Sequence, residues 1–324
     1  MARNFKKLEA INQLVDIHGA ERTASMLGMK ENTIKRRVRD YNKVRRERDG
    51  VIKAEGRPDY MPKVLIFDIE TSPILARVWG LWQQNVGLNM IKEDWFVMSY
   101  SAKWLGVDGI FYQDLRGRID DTTKGHRDAD LLGGIWNLLN DADMVITQNG
   151  KKFDVKKLNA RFVMNGYQPP SGYKHIDTLQ IAKRIFGFTS NKLEYMTDKL
   201  CVNFKKLKHG EFPGFDLWKE CLADNLDAWN EMEEYNKYDV LSLEELYLKL
   251  AAWDDKHPNF NLYTEEEGRV CRCGCTKFTL NGFSYTAVSK FQKYRCSECG
   301  AETRGRKNLF TKEKRAELNC NIFN

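Results

Sequence analysis

The chain has 324 residues, of which 42% are hydrophobic and 30% are charged, and its formal net charge is +7. This composition is typical of globular proteins, and the length allows roughly two or three domains. No apolar run approaches the roughly 20 residues of a membrane span, which excludes a membrane protein with helical spans. No apolar segment follows the basic residues near the N-terminus, so we expect no signal peptide and a cytoplasmic location.

Basic and acidic residues are unevenly distributed along the chain. Residues 1–58 contain 15 Lys and Arg against 8 Asp and Glu, and residues 271–324 contain 11 against 4. Residues 59–270 contain 26 against 33, so an acidic centre lies between two basic ends. Because basic segments attract polyanions, we expect both ends to contact nucleic acid, with DNA favoured over RNA.

The first 48 residues predict a small all-α domain. Apolar residues recur at helical spacing in 5–17, a second short helix covers 21–27, and a basic helix, TIKRRVRDY, follows Asn32. The segment HGAERTASMLGMKENTIKRRVRDY resembles helix-turn-helix units of bacterial and phage regulators and transposases, whose last helix enters the major groove. The DNA-binding residues expected on that helix are Lys35, Arg36, Arg37 and Arg39. A solvated basic helix on a small packing domain is the alternative, and residues 49–60 are predicted to be a linker.

The acidic centre begins with a predicted buried strand that ends in two carboxylates. Residues 64–67 form a β-branched and aromatic run, and Asp68 and Glu70 follow it. Alternate residues of a strand project to the same side, so these two carboxylates point the same way and repel one another. A divalent metal between them is the simplest explanation of the pair. Two solvated acids at a strand end are the alternative.

A third carboxylate follows at a predicted strand-to-helix crossover. The elements predicted before it are antiparallel strands in 74–115, an amphipathic helix in 128–143 and a strand in 144–147. Asn149 and Gly150 end that strand, and Asp154 opens the next helix. Open α/β sheets place their sites at such crossovers, so we expect Asp154 to belong to a site.

A fourth carboxylate lies on a long helix predicted from about residue 224 to 251. Tyr235 and Asp239 are four residues apart and therefore share a helix face. Met232, Leu243 and Leu246 lie on or near the same face, which we therefore expect to turn inward. A carboxylate on an inward face needs a partner. A capped or salt-bridged Asp is the alternative to a metal ligand.

Three of these segments together resemble a known family. FDIET, NGKKFD and YNKYD resemble the three exonuclease motifs of the DnaQ-like, or DEDD, 3′–5′ exonuclease superfamily, which has a ribonuclease H-like fold. Tyrosine four residues before the last Asp resembles the DEDDy subtype, and the branch that looks most similar contains YprB-type proteins and family B polymerase exonuclease domains. The resemblance covers residues 62–253 and implies a ribonuclease H-like domain, which we place at 61–255.

The resemblance implies a set of site residues and cofactors. Asp68, Glu70, Asp154 and Asp239 would hold two Mg²⁺ or Mn²⁺ ions, and Tyr235 would orient the attacking water. Beside this site, Asn149 and Phe153 would contact the terminal nucleotide. Asp177 is either a further site acid or a helix N-cap. The chain contains no polymerase motifs. A proofreading role would therefore have to be exercised in trans, with a DNA polymerase or other replication proteins as separate partners.

Cysteines crowd into a predicted zinc ribbon at residues 268–310, with 311–324 as a tail. Cys296 and Cys299 form a C-x-x-C-G knuckle, which suits tetrahedral Zn²⁺. The other half reads CRCGC, and resemblance to zinc ribbons implies Cys271 and Cys273 as ligands of one structural zinc, with Cys275 as the alternative ligand. Free thiols in a small β unit are the other interpretation. Residues 285–295 interleave aromatic and basic side chains, which suits nucleic-acid contact or merely solubilises the ribbon.

The predicted fold class is therefore α/β, with a ribonuclease H-like mixed sheet flanked by helices, a small all-α helix-turn-helix domain and a small β zinc ribbon. The leading functional hypothesis is a metal-dependent 3′–5′ exonuclease. Alternatives are a transposase or recombinase, a structure-directed endonuclease with the same acids, and a DNA-binding protein on an inactive nuclease core.

Overall fold

The computed structural model describes residues 11, 15, 20–30, 33–34, 62–120, 126–207, 210–263 and 268–320. The chain divides into two compact units, Met1–Arg57 and Pro58–Asn324. None of the helices in these ranges is long and apolar enough to cross a bilayer.

The N-terminal unit contains a short helix where the second helix was predicted. This helix, α1, spans Ala20–Met26, and the chain leaves it through Gly28, whose φ of +61° suits glycine. Ile11, Ala24 and Ile34 are buried together. The basic residues Lys35, Arg36, Arg37 and Arg39 and the linker 49–60 lie outside the described residues, so the helix-turn-helix stays a prediction.

The second unit is built on a five-stranded mixed sheet. Its strands, in chain order, are β1 (Val64–Thr71), β4 (Val97–Trp104), β5 (Phe111–Asp114), β6 (Met144–Thr147) and β7 (Lys174–Asp177). Their spatial order is β5-β4-β1-β6-β7. The hairpin partners β4 and β5 are antiparallel to their neighbours, whereas β6 and β7 run parallel to β1. The predicted mixed α/β fold is confirmed.

Helices cover both faces of this sheet. They are α2 (Ala129–Asn140), α3 (Asp154–Met164), α4 (Thr178–Ile185), α5 (Leu193–Leu200), α6 (Asp216–Leu222) and α7 (Leu226–Leu250). Because strand residues alternate, Leu65 and Phe67 pack in one core with α2 and α3, while Val64 and Ile66 pack in another with α4 and α7. Burial on both faces explains why the strand is a continuous apolar run.

The predicted strands between 74 and 115 are only partly present. β4 and β5 form, but residues 77–87 lie outside the strands, and a two-stranded sheet of β2 (Leu75–Ala76) and β3 (Ile91–Glu93) flanks them. Trp79, Leu81 and Trp82 project into solvent there. Alternating aromatic residues predicted a strand, but they form one only when a neighbouring strand pairs with them, and none of the described strands pairs with 78–89.

A small three-stranded antiparallel sheet follows α7. Its strands are β8 (Phe278–Thr286), β9 (Ser289–Cys296) and β10 (Glu302–Arg304), and a short helix, α8 (Lys312–Ala316), comes after them. Arg272 donates to the carbonyl oxygens of Ala251 and Asp254 at 2.6 and 2.5 Å, which attaches this sheet to the end of α7.

Candidate active site

Three carboxylates meet where β1 ends against the middle of α7. Asp68 and Glu70 project from the same side of β1, toward α7, and Asp239 lies on the buried face of α7. Each offers one oxygen, and these oxygens lie within 4.8 Å of one another. Strand alternation and helix periodicity, both visible in the sequence, are what bring these three together.

Asp154 lies next to this trio but outside it. It is the first residue of α3 and is buried, and its Oδ1 accepts a hydrogen bond from the backbone N–H of Ile69 at 3.3 Å. This bond ties the start of α3 to the strand residue between the other two acids. The partial positive charge at a helix N-terminus favours a carboxylate at this position.

Among the described residues, the carboxyl groups of this site outnumber the cations in contact with them. Burial raises the pKa of Asp68 well above its usual range, and neighbouring carboxylates, chiefly that of Asp154, raise it further. Burial and the charge of Asp239 raise the pKa of Glu70 to about 8. Burial likewise raises the pKa of Asp154 to about 7, against the lowering effect of its backbone hydrogen bonds. Like charges so close together favour proton uptake or a bound cation.

One lysine contacts this cluster, and the sequence did not predict that contact. Lys206 follows α5 in a non-helical segment, and its ammonium donates to Oδ2 of Asp239 at 2.5 Å. The ammonium also lies 4.2 Å from the ring centre of Tyr235. The backbone N–H of Lys206 donates to Oγ1 of Thr197 at 3.2 Å, which anchors the segment to α5. No periodicity or motif in the sequence marks this residue.

Tyr235 shares the buried face of α7 with Asp239, as the four-residue spacing predicted. Its ring meets Trp218 of α6 edge-on, with 6.2 Å between the ring centres. Burial and the charge of Asp239 raise its pKa to about 12. The hydroxyl therefore stays protonated at neutral pH and can donate or accept a hydrogen bond, but it cannot serve as a base.

Asn236 is a second residue that sequence reasoning missed. It is fully buried on α7, and its Nδ2 donates to Oδ2 of Asp68 at 2.7 Å. Ser99 on β4 donates to its Oδ1 at 3.4 Å, which fixes the direction of the amide. Its position beside Tyr235 in the sequence was visible, but an asparagine inside a helix gives no signal of this contact.

Asn149 and Asp177 shape the turn between β6 and α3. Asn149 has a φ of +68°, and its N–H donates to Oδ1 of Asp177 at 3.0 Å. Lys151 donates its N–H to the other oxygen at 3.2 Å, and Leu179 at the start of α4 donates to Oδ1 at 3.1 Å. Asp177 is therefore the N-cap of α4, one of the two roles that the sequence allowed. Phe153, beside Asp154, is 40% exposed.

The acidic trio fits a divalent metal. All three donors are carboxylates, the oxygen ligands that Mg²⁺ and Mn²⁺ prefer. Their mutual repulsion and partial burial would be relieved by a cation, and Lys206 supplies only one positive charge in contact with them. A groove of about 530 Å³ opens beside this site, lined by Gln148, Asn149, Asn191, Lys192 and Lys206, among others.

Four cysteines form a second cluster in the C-terminal sheet. The sulfurs of Cys271, Cys273, Cys296 and Cys299 lie within 4.8 Å of one another. The Cys271–Cys299 and Cys273–Cys296 sulfur pairs are 3.4 and 3.6 Å apart. A tetrahedral zinc with Zn–S bonds of about 2.3 Å places its sulfurs about 3.8 Å apart, so the cluster fits this ion. Cys275 lies outside the cluster and hydrogen-bonds with the backbone of Lys277.

One family model matches part of the second unit. Residues 118–251 match the family model of the RNase_H superfamily. This range includes Asp154, Tyr235 and Asp239 but begins after β1, which carries Asp68 and Glu70. Together with the mixed sheet, the match shows a ribonuclease H-like fold. No curated protein matches the chain.

A solved structure with similarity to the chain is the family B DNA polymerase from the hyperthermophilic archaeon Pyrobaculum calidifontis. The sequence identity is 15% and the TM-score is 0.41, over 59% of this chain and 25% of the polymerase chain. The matched region is thus a quarter of the polymerase's length.

Proposed function

We propose that the chain is a metal-dependent 3′–5′ exonuclease that hydrolyses phosphodiester bonds of nucleic acid, with DNA favoured. The observation that carries the proposal is the convergence of Asp68, Glu70 and Asp239, with Asp154 beside them, at the end of β1. Proteins of the RNase_H superfamily are generally hydrolytic nucleases that use divalent metals, and residues 118–251 match that family model.

The four acids would hold two Mg²⁺ or Mn²⁺ ions. When bound, such ions supply a water of lowered pKa and neutralise charge that develops on the phosphate and the leaving oxygen. The protein's own contribution is to fix the carboxylates before the ions arrive. Asn236 holds Asp68 by a hydrogen bond, and the N-terminus of α3 holds Asp154 against Ile69.

Tyr235 and Lys206 would act beside the reacting phosphate, Tyr235 on the attacking water and Lys206 on Asp239. The Tyr235 hydroxyl stays protonated because burial raises its pKa, so it would orient a water by a hydrogen bond rather than remove its proton. The Lys206 ammonium pairs with Asp239 and lies over the Tyr235 ring, so it contacts both side chains. Asn149 and Phe153, at the β6–α3 turn, would contact the terminal nucleotide.

Removal of nucleotides from the 3′ end is supported by the motif resemblance and tested by end-labelled substrates. The purified chain is incubated with single-stranded DNA labelled at the 5′ end, with the same oligonucleotide carrying a blocked 3′ terminus, and with a circular single strand. A descending ladder from the free 3′ end, with the blocked and circular strands left intact, is the expected result. Cleavage of the circle would instead support an endonuclease, and strand joining a recombinase. Retained binding without any hydrolysis would support the inactive-core alternative.

We also propose that the cysteine cluster holds one structural zinc ion. Cys271, Cys273, Cys296 and Cys299 provide four thiolates, and closed tetrahedral thiolate sites are structural. Replacement of Cys273 by Ser is expected to abolish zinc retention, measured by metal analysis of the purified chain. Cys275→Ser is the matched control and is expected to retain one zinc per chain. Equal zinc contents of both variants would contradict this ligand set.

A further inference from the structure

One face of the C-terminal sheet carries a row of apolar and aromatic side chains. In the β8–β9 pair, Leu280 lies opposite Tyr294, Phe283 opposite Gln292, and Tyr285 opposite Lys290. Residues directly opposite in an antiparallel pair project to the same side. We call this surface the aromatic face, and its members are Leu280, Phe283, Tyr285, Lys290, Gln292 and Tyr294.

A β-bulge is what assembles this face. Without it, strict alternation would send residue 280 to one side of β8 and residues 283 and 285 to the other. The register shifts between Leu280 and Phe283, and Gly282 within the bulge has a φ of +68° that favours glycine. The side-chain amide of Gln292 donates to the carbonyl oxygen of Gly282 at 2.8 Å and holds the bulge in place.

The aromatic face is open to solvent. Leu280 is 72% exposed, Tyr285 is 65% exposed and Phe283 is 42% exposed. Single exposed apolar residues are ordinary, but several on one side of a small sheet indicate a binding surface.

The two sides of the sheet differ in charge. On the aromatic face, the ammonium of Lys290 lies 3.8 Å from the ring centre of Phe283 and 5.9 Å from that of Tyr285. On the other face, Lys293 and Arg295 form ion pairs with Glu302 at 3.2 and 2.8 Å. Among the described residues, no carboxylate forms an ion pair with Lys290. Within the described part of the chain, the charge of Lys290 therefore has no ion-pair partner, whereas the charge of the other face is neutralised in part.

A second cation lies at the far end of the aromatic face. The guanidinium of Arg269 stacks over Tyr294, 4.0 Å from the ring centre, and also donates to its hydroxyl at 3.0 Å. Residues 271–324 contain 11 basic against 4 acidic side chains, so the surroundings attract polyanions. Cations therefore lie at both ends of the exposed rings.

We propose that the aromatic face binds single-stranded nucleic acid, at a site separate from the acidic one. Bases would stack on Tyr285, which is the most open ring, while phosphates would contact Lys290 and Arg269. A duplex hides the faces of its bases, so stacking selects unpaired strands. Open rings beside cations that pair with no carboxylate of the described residues fit a polyanion that carries flat apolar groups better than they fit an apolar protein surface.

Equilibrium binding of a fluorescent oligothymidine to the full chain tests this proposal. Divalent cations are left out to prevent hydrolysis, and no chelator is added, so that any thiolate-bound zinc is retained. Tyr285→Ala is expected to weaken binding about tenfold, since one base loses its stacking partner. Tyr285→Phe keeps the ring and is expected to bind as the wild type does. Duplex DNA of the same length is expected to bind equally to the wild type and to Tyr285→Ala.

Two lysines of β9 provide a matched pair of charge variants. Lys290→Ala removes a cation of the aromatic face and is expected to weaken binding and to reduce the salt slope by about 0.7, which corresponds to one phosphate of a single strand. Lys293→Ala removes a cation that pairs with Glu302 on the opposite face, and its binding is expected to match that of the wild type. Zinc content and thermal unfolding of each variant verify that the ribbon is intact.

Three outcomes would overturn the proposal: unchanged binding by Tyr285→Ala, equal losses in the two lysine variants, or an equal loss of duplex binding in Tyr285→Ala. The result is independent of hydrolysis. A chain that hydrolyses nucleic acid but binds equally with and without the Tyr285 ring would contradict this inference alone. A chain that binds through Tyr285 but does not hydrolyse would contradict the nuclease proposal alone.

Discussion

At the scale of single residues, the acidic site is held by one cation and one amide: Lys206 pairs with Asp239, and Asn236 donates a hydrogen bond to Asp68. The motifs pointed to Asp68, Glu70, Asp154 and Asp239, because their spacing follows strand and helix periodicity. Lys206 and Asn236 could not be found in this way. Each reaches the acids through a tertiary contact across more than 30 residues of chain, and such contacts leave no local pattern.

Replacement of Lys206 by Met tests its role. Without the ammonium, Asp239 loses its ion pair and the acidic cluster loses the cation in contact with it, so thermal stability in the absence of divalent metal is expected to fall and added Mg²⁺ to recover most of it. Nuclease turnover is expected to fall about 10–100-fold, as for other groups that hold a metal ligand. Lys205→Met is the control, since Lys205 pairs with exposed Asp198 at 3.2 Å. Equal effects of the two substitutions on turnover and unfolding would contradict a specific role.

At the scale of elements, the site is made where β1, the β6–α3 turn and α7 come together. The sequence predicted β6 in full, α2 and α7 to within a few residues and the start of α3 at Asp154, because these elements are buried and strongly periodic. It predicted none of α4, α5 and α6. It misjudged residues 77–87, where exposed aromatic side chains imitate the pattern of a strand. Prediction of strands from apolar patterns assumes that apolar residues are buried. The prediction fails where such residues lie exposed on the surface.

The β6–α3 turn has no room for a side chain at Gly150. A Cβ atom there would lie 2.3 Å from Oγ1 and 2.5 Å from Cβ of Thr147, which is buried. Gly150→Ala is therefore expected to lower the free energy of unfolding by about 1–3 kcal/mol. Displacement of Asn149 and Asp154 by even about 1 Å is expected to reduce turnover by about 100-fold.

Gly172→Ala is the matched control for this turn, because its Cβ would meet nothing within 4 Å. Its free energy of unfolding is expected to stay within about 0.5 kcal/mol of the wild type. Urea denaturation and turnover are measured for both variants. If Gly150→Ala matched Gly172→Ala in free energy of unfolding and in turnover, the turn would not position the site.

At the scale of the whole molecule, the charge division acquires a physical interpretation. Residues 59–270 are acidic partly because they carry the carboxylates of the site, and those repel nucleic acid until cations neutralise them. The basic segments on either side would supply attraction to the phosphate backbone. The family model and the sheet identify the central fold, whereas the DNA-binding role of residues 1–48 stays a prediction from sequence.

Removal of residues 1–57, the N-terminal unit, tests this division of labour. This segment contains 15 basic and 8 acidic side chains, so its loss is expected to weaken duplex DNA binding and to reduce the dependence of binding on salt. Hydrolysis of short oligonucleotides is expected to persist, since the acids lie in the other unit. Binding is measured by titration at several salt concentrations. An unchanged salt dependence would contradict a role of this unit in phosphate contacts.

The most direct test of the acidic site is the rate of oligonucleotide hydrolysis as a function of Mg²⁺ concentration, in the wild type and in Asp239→Asn. Hydrolysis is expected to require Mg²⁺ and to fall about 10³-fold in the variant, because several kcal/mol of charge stabilisation are lost. Asp255→Asn, at an exposed carboxylate, is expected to match the wild type. Hydrolysis without divalent metal, or at an undiminished rate in Asp239→Asn, would contradict the assignment of this cluster as a metal-dependent nuclease site.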